Sequence, residues 1–563
     1  MAQTEQKKYD VKSKLLPFLI FWLAAGWLFY RIYPIIMGTH DDMLNYSLMR
    51  LGTMAENGFA AAKRGRISQI WDYWLLGFPF LLNKLWFYKL VVYTCYLFDV
   101  GSVWLFLSRH VNRDFAALTS ILIAAWSTVT NYHNLLISYG CCHQLPLGFV
   151  FLSLYFYCCF LKEKKKRDLI FSSVFLLFAV MIYEAFATLL LLFGLLALLH
   201  FDEEKTTFFR QIGKTIQRIW LPTLLVCVYM AVYFIWQHYY PSSYDGTSMD
   251  FSHPASSLRA LLYYSLGFFP VSDLIAYVKV TPCSIGDLLY QVQIPTIIVA
   301  ILVCVAAVIL IPRICIEKRV VWRTMLLSGI GMFLPCLLIS FSPKYREWSE
   351  RGVIAYLPSY YSYFFLMIFL LCLAWGAYRL CKQKISRISV LVTLSGTMFC
   401  VTIASGIVTN IWCTHYKTLS MRYRNFDYVA STEPVMNCDE AWQIYGPDNG
   451  GIHYADRFTE QYLHIYNHDD VRYFHEPQNI ADDRRILCLR SPENYEFSVL
   501  GETDEHLHAE SVILRTLLPE RFEVVLQTVS GETVTYPNVM EGDVLTAPEG
   551  DAFDLSVRVR MTE

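Results

Sequence analysis

Apolar runs of about 17–25 residues recur through the first 412 residues and constrain the fold more than any other feature of the sequence. About 20 apolar residues in a helix are enough to cross the hydrocarbon core of a bilayer. Of the 563 residues, 55% are hydrophobic and 17% charged, whereas soluble domains carry about 45–50% and about 25%. This excludes a soluble fold, a disordered chain and a disulfide-stapled secreted module. It also excludes a membrane β-barrel, whose strands would alternate.

The net charge of −1 conceals two regions of opposite charge. Residues 413–563 hold 12 Lys and Arg against 27 Asp and Glu, and the first 412 residues hold 35 against 21. Because basic residues are retained on the cytoplasmic side of membranes, two compartments explain this division. We predict a membrane-spanning domain at 1–412 and a separate extracytoplasmic domain at 413–563. A hydrophobic protein of this charge is also a poor binder of nucleic acid.

The positions of the basic residues predict one orientation in a cell or plasma membrane. The N-terminus and five candidate inner loops hold 23 Lys and Arg in 64 residues, against 10 in about 134 residues of the candidate outer loops. This bias predicts a cytoplasmic N-terminus, eleven crossings and an outer C-terminus. The predicted spans are 15–37, 86–108, 115–131, 145–161, 169–183, 185–201, 219–239, 294–312, 324–341, 354–378 and 388–411.

One apolar stretch tests this scheme. Residues 169–201 would extend about 50 Å as a single helix, although the hydrocarbon core is only ~30 Å thick. Both flanks are basic, so both ends should lie on the cytoplasmic side. We therefore predict two short helices with a turn at the only polar break, Tyr183-Glu184.

Two outer loops and the C-terminal region complete the organisation. The loop 38–85 contains amphipathic segments, which predict interfacial helices. The loop 240–293 is rich in Ser, Pro, Tyr and Gly and is a candidate lid. After residue 412, short alternating segments separated by turn residues predict a small α+β or mostly β domain. The fold class predicted is thus an all-α polytopic membrane protein with a C-terminal domain containing strands.

The sequence His40-Asp41-Asp42, just past the outer end of the first span, is the sharpest chemical signal. Two adjacent carboxylates at this place have no obvious packing role. A structural interpretation is also open, in which Asp41 or Asp42 caps a helix that begins near Met43 and favours its dipole. Capping and catalysis do not exclude each other.

This layout resembles the GT-C superfamily of membrane glycosyltransferases, which use polyprenyl-phosphate-linked sugars. The shared features are a first helix entering from the cytoplasm, an acidic pair at its outer end, a long first outer loop, about eleven crossings and an extracytoplasmic C-terminal domain. The resemblance covers about residues 15–412. Within the superfamily, the layout of this chain is similar to that of bacterial serotype-converting glucosyltransferases.

The resemblance implies roles for the acidic pair. Transfer from a phosphate-linked donor requires a base for the acceptor hydroxyl and positive charge for the departing phosphate. Asp41 or Asp42 would be the catalytic base, and the other would orient the acceptor or bind a divalent cation. The pair could hold Mg²⁺ or Mn²⁺ through its oxygens. Some members of the superfamily need a metal and others do not, and the sequence leaves this open.

Outer-side cations are the candidates for holding the donor phosphate. The loop before the tenth span carries Lys344, Arg346 and Arg351, in a protein that avoids positive charge on this side. Their alternative role is pairing with anionic lipid or with Glu347 and Glu350. Lys84 is a weaker candidate, whose alternative is to snorkel to the membrane surface.

Further residues are candidates for contact with the sugar or acceptor, each with a plain structural alternative. They are Glu184, which also suits a polar turn; His133 and His143, which also suit a solvated loop; Tyr345; and Trp71, which also suits an interfacial anchor. The expected partners are a polyprenyl-phosphate sugar, a glycan, polymer or lipid acceptor, and membrane lipids.

Two other classes of function remain open. A transporter or flippase of lipid-linked glycans would need discontinuous helices and a site near the middle of the membrane. A scaffold that displays the domain 413–563 would hardly need eleven crossings. A membrane glycosyltransferase is the function that the sequence favours.

Overall fold

The computed structural model describes residues 2–35, 39–82, 84–130, 133–199, 208–242 and 244–430. In the C-terminal region it describes 443–445, 472–474, 485–490, 497–502, 508–515, 521–555 and 560–562. Contacts divide the chain into two compact units, which are Met1–Pro34 with Ala55–Cys413 and Ile35–Met54 with Thr414–Glu563. We call the first the helical unit.

The helices, in chain order, have the following bounds. The first ten are α1 (Ala2–Ile32), α2 (His40–Leu51), α3 (Met54–Ala62), α4 (Gln69–Gly77), α5 (Leu85–His110), α6 (Arg113–Trp126), α7 (Leu145–Glu163), α8 (Lys166–Ile182), α9 (Leu190–Leu199) and α10 (Phe208–Tyr239). The others are α11 (Pro254–Leu266), α12 (Pro270–Val280), α13 (Ile285–Tyr290), α14 (Ile294–Arg313), α15 (Lys318–Gly331), α16 (Leu334–Ser340), α17 (Pro343–Glu350), α18 (Leu357–Leu380) and α19 (Lys384–Ala430). Short 3₁₀ helices cover Phe78–Phe80, Glu184–Leu189 and Asp245–Thr247.

Within the described part of the chain, eight helical stretches are long and apolar enough to cross a membrane. They lie in α1, α5, α7, α10, α14, α15 with α16, α18 and α19. Within the described residues, each of the eleven sequence-predicted spans overlaps a helix, but the three at 115–131, 169–183 and 185–201 overlap helices that are not among these eight. The pair α11 and α12 is apolar as well and bends by 116° at its break.

The turn predicted inside the stretch 169–201 is present. Helix α8 ends at Ile182, Tyr183 is extended, and a 3₁₀ helix begins at Glu184. Helix α8 packs along α7, and the polar hydroxyl of Ser153 donates to the carbonyl of Ser172 at 2.6 Å where the two helices meet. The polar residue pair thus interrupts the apolar run where its length exceeds what a bilayer needs.

The basic residues of the helical unit collect at one end of its helices. This end, which we call the basic end, is formed by the last turns of α5, α7, α9, α14 and α18 and the first turns of α6, α8 and α15. Contacts between these turns include Arg109 with Glu163 at 3.3 Å and the indole of Trp375 with the carbonyl of Ile314 at 3.1 Å. The positive-inside rule predicts that the basic end faces the cytoplasm.

The second unit contains α2 and the strands of the C-terminal region. The strands are β1 (Gln443–Tyr445), β2 (Arg472–Phe474), β3 (Arg485–Arg490), β4 (Phe497–Glu502), β5 (His508–Ala509), β6 (Ser511–Arg515), β7 (Phe522–Gln527), β8 (Thr533–Val539), β9 (Val544–Thr546), β10 (Phe553–Asp554) and β11 (Arg560–Thr562). A six-stranded sheet has the order β2-β1-β3-β4-β6-β9, beside sheets of order β11-β7-β8 and β10-β5. Among the described strands, β1 pairs in parallel with its neighbours β2 and β3, and the other pairs are antiparallel.

The two strands β6 and β7 show why this region folds as sheet. Val512 and Leu514 on β6, and Phe522, Val524 and Leu526 on β7, are all buried and occur at every second position. This alternation gives each strand one apolar face that packs into a shared core. The expected fold class, a helical membrane part followed by a domain containing strands, is confirmed.

Candidate functional site

The end of the helical unit opposite the basic end gathers most of the sequence-predicted polar residues. One part of it is α17, a short helix that begins with Pro343 and buries Tyr345 and Arg346. The backbone carbonyl of Tyr345 accepts a hydrogen bond of 2.7 Å from the hydroxyl of Tyr264 on α11. This bond and the surrounding apolar contacts fix α17 against α11 and α16.

Three tyrosine hydroxyls and one lysine form a connected polar group. The Tyr345 hydroxyl lies 3.0 Å from that of Tyr244 and donates to that of Tyr356 at 3.1 Å. The Lys344 ammonium donates to the Tyr244 hydroxyl at 3.1 Å and lies 4.2 Å from the centre of its ring. Burial, followed by the neighbouring tyrosines, raises the pKa of Tyr345 and Tyr356 above the usual range. Both hydroxyls therefore keep their protons and can donate hydrogen bonds.

The loop between α6 and α7 brings His133 to this group. Its ring lies 5.5 Å from the ring of Tyr356 and 6.5 Å from that of Trp348, and its Nδ1 is hydrogen-bonded to the hydroxyl of Tyr139. His133 and Tyr139 have φ angles of 37° and 61°, in the left-handed region that side chains rarely adopt. Backbone strain of this kind costs about 1–3 kcal/mol per residue and clusters at functional sites.

His143 continues the chain of contacts towards the break between α8 and α9. Its buried ring lies 5.6 Å from the ring of Tyr139 and 6.0 Å from that of Tyr183, and its carbonyl accepts from the hydroxyl of Tyr361 at 2.5 Å. Tyr183 is the extended residue that precedes Glu184. The loop, α17 and the break in the apolar stretch thus meet at one place.

Glu184 forms an ion pair with Arg66 at this place. The Arg66 Nη2 and Glu184 Oε2 atoms lie 3.2 Å apart, and the side chains are 28% and 12% exposed. The charge of Glu184 raises the pKa of Arg66, so the guanidinium stays charged. Asp72 lies beside the pair and is buried. Burial raises the pKa of Asp72 well above its usual range, against the opposing effect of Arg66.

We call the residues of this place the polar cluster. It comprises Lys344, Tyr345, Tyr244, Tyr356, Trp348, His133, Tyr139, His143, Tyr183, Glu184, Arg66 and Asp72. Five of the sequence-predicted residues are in it: Lys344, Tyr345, His133, His143 and Glu184. The predicted Trp71 is adjacent, since its indole donates to the carbonyl of Met181 at 3.0 Å.

Arg66 is the main residue that sequence reasoning missed. It is one of few cations in a candidate outer loop, and Glu184 is the acid that interrupts the apolar stretch 169–201. An acid and a cation on the same predicted side could have been matched. Tyr244 and Tyr356 carried no such signal.

The predicted phosphate-binding arginines have carboxylate partners. Arg346 forms an ion pair with Asp250 and also donates to its backbone carbonyl at 3.3 Å. Hydrogen bonds from Ser252, then the bond from Arg346, hold the pKa of Asp250 well below its usual range. Arg351 is 71% exposed and pairs with Glu347 one turn earlier. A phosphate bound by Arg346 or Arg351 would therefore compete with a carboxylate for the same guanidinium group.

The remaining predicted cation lies at the start of a membrane span. Lys84 is the residue that precedes α5, where its backbone is extended and its side chain exposed. This position suits the alternative in which the ammonium reaches the membrane surface. A role for Lys84 in binding phosphate stays a prediction.

The predicted base pair, Asp41 and Asp42, lies in the first turn of α2 in the second unit. The helix begins at His40, and its cap is Thr39, whose hydroxyl accepts from the Asp42 amide at 3.4 Å. The capping interpretation of Asp41 and Asp42 is therefore wrong, because Thr39 supplies the cap three residues before Asp42. Their charges still favour the helix dipole. Asp41 is half-buried, and Asp42 is 1% exposed.

The same geometry bears on a metal at Asp41 and Asp42. Neighbouring residues on a helix point about 100° apart, so the two carboxylates do not share a face. In the part of the chain that the structure describes, no group of three or more His, Cys, Asp or Glu could hold a metal ion. A role for Mg²⁺ or Mn²⁺ at Asp41 and Asp42 stays a prediction.

The pKa of Asp72 gives a prediction for stability. An acid whose pKa is raised by folding stabilises the protein fully below about pH 4, and this contribution is lost as the pH rises through the raised pKa. We expect Asp72→Asn to match the wild type in thermal unfolding near pH 4 and to be more stable near pH 8. Unfolding in detergent between these pH values measures this.

Asp287→Asn is the control for this prediction, because hydrogen bonds from Ser284 lower the pKa of Asp287. Its contribution is present above about pH 4 and lost at lower pH, so this variant should be less stable than the wild type near pH 8. A pH dependence of the same sign in both variants would contradict the assignment.

Comparison with known proteins gives matches among solved structures only. No family model and no curated protein matches the chain. ArnT from Cupriavidus metallidurans bound to undecaprenyl phosphate matches at 12% identity and a TM-score of 0.36, over 88% of this chain and 97% of that chain. The apo oligosaccharyltransferase of Archaeoglobus fulgidus matches at 9% identity and a TM-score of 0.37, over 83% of this chain and 65% of that chain.

With TM-scores below 0.5, nothing about the activity of this chain follows from this likeness.

Proposed function

We propose that this protein is a membrane glycosyltransferase that moves a sugar from a polyprenyl-phosphate donor to a hydroxyl of a surface glycan, polymer or lipid. In this proposal the polar cluster faces the outer side of the cell membrane, and the basic end and the N-terminus face the cytoplasm. The proposal is supported by one observation above all, namely the arrangement of Lys344 and the tyrosine hydroxyls of the polar cluster.

This arrangement suits the two chemical parts of such a donor. A departing phosphate carries negative charge, which the Lys344 ammonium and protonated tyrosine hydroxyls can stabilise through charge-assisted hydrogen bonds. A sugar ring presents hydroxyls and an apolar face, and the rings of Trp348, Tyr356 and His133 offer matching surfaces. A cation among aromatic rings and hydroxyl donors therefore fits a phosphate-linked sugar.

The acceptor hydroxyl needs a base, and the proposal assigns this role to Asp41 or Asp42. The base would remove the proton as the acceptor oxygen attacks the anomeric carbon and the bond from this carbon to the phosphate oxygen breaks. The leaving group departs as polyprenyl phosphate. Arg346, Arg351 and Lys84 are retained as candidates for contacts with this phosphate, and Glu184, His143 and Trp71 for contacts with the sugar or acceptor.

A transfer assay tests the proposal. Purified protein in nanodiscs is mixed with radiolabelled polyprenyl-phosphate sugars and with an extract of surface glycans and lipids, with and without EDTA. We expect label to move to an acceptor with at least one donor, and the EDTA arm measures any need for a divalent cation. Binding of donors without transfer would contradict the enzyme proposal.

Lys344→Gln should raise the KM for the sugar donor about tenfold. A hydrogen bond between charged groups, here the lysine ammonium and the phosphate, contributes about 1.5–3 kcal/mol. Because Lys344 also faces the charge that develops on the departing phosphate, kcat should fall as well. Arg259→Gln is the control, because Arg259 is an exposed cation on the neighbouring helix α11 that the proposal does not use, and we expect less than a threefold change. Equal effects of the two substitutions would contradict the role of Lys344.

A flippase of lipid-linked glycans is the second candidate. The observation that favours it is the bent pair α11 and α12, an apolar helix pair broken by 116°, since transporters use discontinuous helices at their sites. Movement of a fluorescent lipid-linked sugar between the leaflets of proteoliposomes would separate the two proposals. We expect no such movement above that of protein-free liposomes.

A further inference from the structure

The basic end of the helical unit contains a crevice that the glycosyltransferase proposal does not use. Its larger part is a cavity of about 440 Å³ between α9, α15 and α18. A second cavity of about 120 Å³, which reaches to α5 and α7, shares Leu199 and Arg323 with the first. We call the two together the basic crevice.

The charged residues of the basic crevice have one sign. Arg319 and Arg323 line the larger cavity, and Arg323 and Lys162 line the smaller one together with His110. Among the lining residues that the structure describes, there is no Asp or Glu. Two of the cations lie in the first two turns of α15, where the free amide groups of the helix add positive potential. The crevice is complementary to an anion.

The rest of the crevice is apolar and follows one face of α15. Arg319, Trp322, Leu326 and Ile330 lie at spacings of three or four residues and therefore share this face. Trp322 and Leu326 are 66% and 43% exposed, so the face opens outward from the unit. From Arg319 to Ile330 the helix rises about 16 Å, close to half the ~30 Å thickness of a hydrocarbon core.

Gly329 keeps the inner wall of this face open. A Cβ atom at Gly329 would lie 3.3 Å from the ring of Phe369 on α18, so a larger side chain would fill the space between the two helices. The crevice thus has cations at one end, and an apolar channel extends from them along α15. This is the shape and polarity of a phospholipid, with its phosphate at the arginines and an acyl chain along α15.

We propose that the basic crevice is a binding site for an anionic phospholipid, with Arg319, Arg323 and Lys162 around its phosphate and one acyl chain against Trp322, Leu326 and Ile330. The site is at the opposite end of the unit from the polar cluster, and it does not depend on the proposed glycosyltransferase activity. The lipid is a regulatory or structural ligand and not the sugar donor.

Native mass spectrometry of the full-length protein tests this, with phosphatidylglycerol, phosphatidylcholine and inorganic phosphate added in turn. We expect phosphatidylglycerol to bind at least tenfold more tightly than phosphatidylcholine. The double variant Arg319→Gln/Arg323→Gln should lose at least tenfold in affinity for phosphatidylglycerol. Lys318→Gln, an exposed cation in the same turn that does not line the crevice, should change it less than twofold.

A second variant separates the acyl chain from the headgroup. Gly329→Leu keeps all the charges and fills the channel, so it should also weaken phosphatidylglycerol binding at least tenfold. If inorganic phosphate competes as well as the lipid and Gly329→Leu has no effect, the ligand is a free phosphate and the lipid proposal is overturned. Equal binding of the two lipids, or unchanged binding by the double arginine variant, would also overturn it.

One further occupant is tested directly. The sequence after Leu199 contains Asp202, Glu203 and Glu204, which lie outside the described residues. If the wild type binds no phosphatidylglycerol but the variant Asp202→Asn/Glu203→Gln/Glu204→Gln does, this acidic segment is the resident partner of the crevice and the lipid proposal is overturned. Tight binding to the wild type supports the proposal.

Discussion

Asp41→Asn is expected to lower sugar transfer by about 100-fold to 10,000-fold, the usual contribution of a general base. The amide has nearly the shape of the carboxylate but cannot accept the proton of an acceptor hydroxyl. We expect a smaller loss for Asp42→Asn, because the Asp42 side chain is 1% exposed whereas that of Asp41 is half-buried. A base has to reach its substrate, and the more accessible carboxylate is the better candidate.

The measurement is kcat for transfer in nanodiscs, with the amount of folded protein normalised by size-exclusion chromatography. Glu56→Gln is the control, because Glu56 is also an acidic residue in the first turn of a short helix, α3. It tests the loss of a favourable charge at a helix start, which costs only about 0.3–1 kcal/mol in stability. Wild-type turnover by both Asp41→Asn and Asp42→Asn would remove the base from the proposal.

Glu184→Gln should destabilise the protein by about 2–4 kcal/mol. The substitution leaves the Arg66 guanidinium beside buried groups without its carboxylate, and breaking a buried pair typically costs about 3–5 kcal/mol. We expect somewhat less, because the Arg66 side chain is 28% exposed and water screens part of its charge. Thermal or denaturant unfolding in detergent micelles, followed by the fluorescence of Trp residues, gives the change.

Glu163→Gln provides the matched control for Glu184→Gln. Glu163 forms solvent-exposed ion pairs with Arg109 and Lys165 at the basic end. Loss of the Glu163 charge should therefore not change the stability measurably. Removal of both charges of the buried pair, in Arg66→Met/Glu184→Gln, should recover at least half of the loss, because the uncompensated charge is gone. A double variant no more stable than Glu184→Gln would mean that the ion pair is not the cause.

The helical part of the fold was predictable because hydropathy reports how long a chain stays apolar. In the described residues each predicted span overlaps a helix, and the length of 169–201 predicted a break that the polar pair Tyr183-Glu184 located. The lengths of individual helices were less predictable. Residues 185–189 are apolar enough for a span, yet they form a 3₁₀ helix, because the choice between helix types depends on neighbours such as the α16 carbonyl that Thr188 contacts.

The polar cluster was predictable only in part, for a different reason. Charged or imidazole side chains in apolar surroundings stand out singly, which is why Glu184, His133, His143 and Lys344 could be named. Their meeting depends on contacts between segments that are distant in the chain, such as the contact of His133 with Trp348. With 38 tyrosines in the sequence, Tyr244 and Tyr356 could not be distinguished from the others before those contacts were known.

The close approach at Gly267 has a mechanical consequence. A Cβ atom there would lie 1.8 Å from the carbonyl oxygen of Ile354. The backbone at the bend between α11 and α12 is therefore in direct contact with the backbone of the segment that leads into α18. Asp250 is tied to the end of α16, because its amide donates to the carbonyl of Phe341 at 2.9 Å, and to α17 through its ion pair with Arg346. The candidate lid 240–293 therefore cannot swing as an independent flap. Any opening would have to carry α17, with Lys344 and Tyr345, along with it as a single moving part.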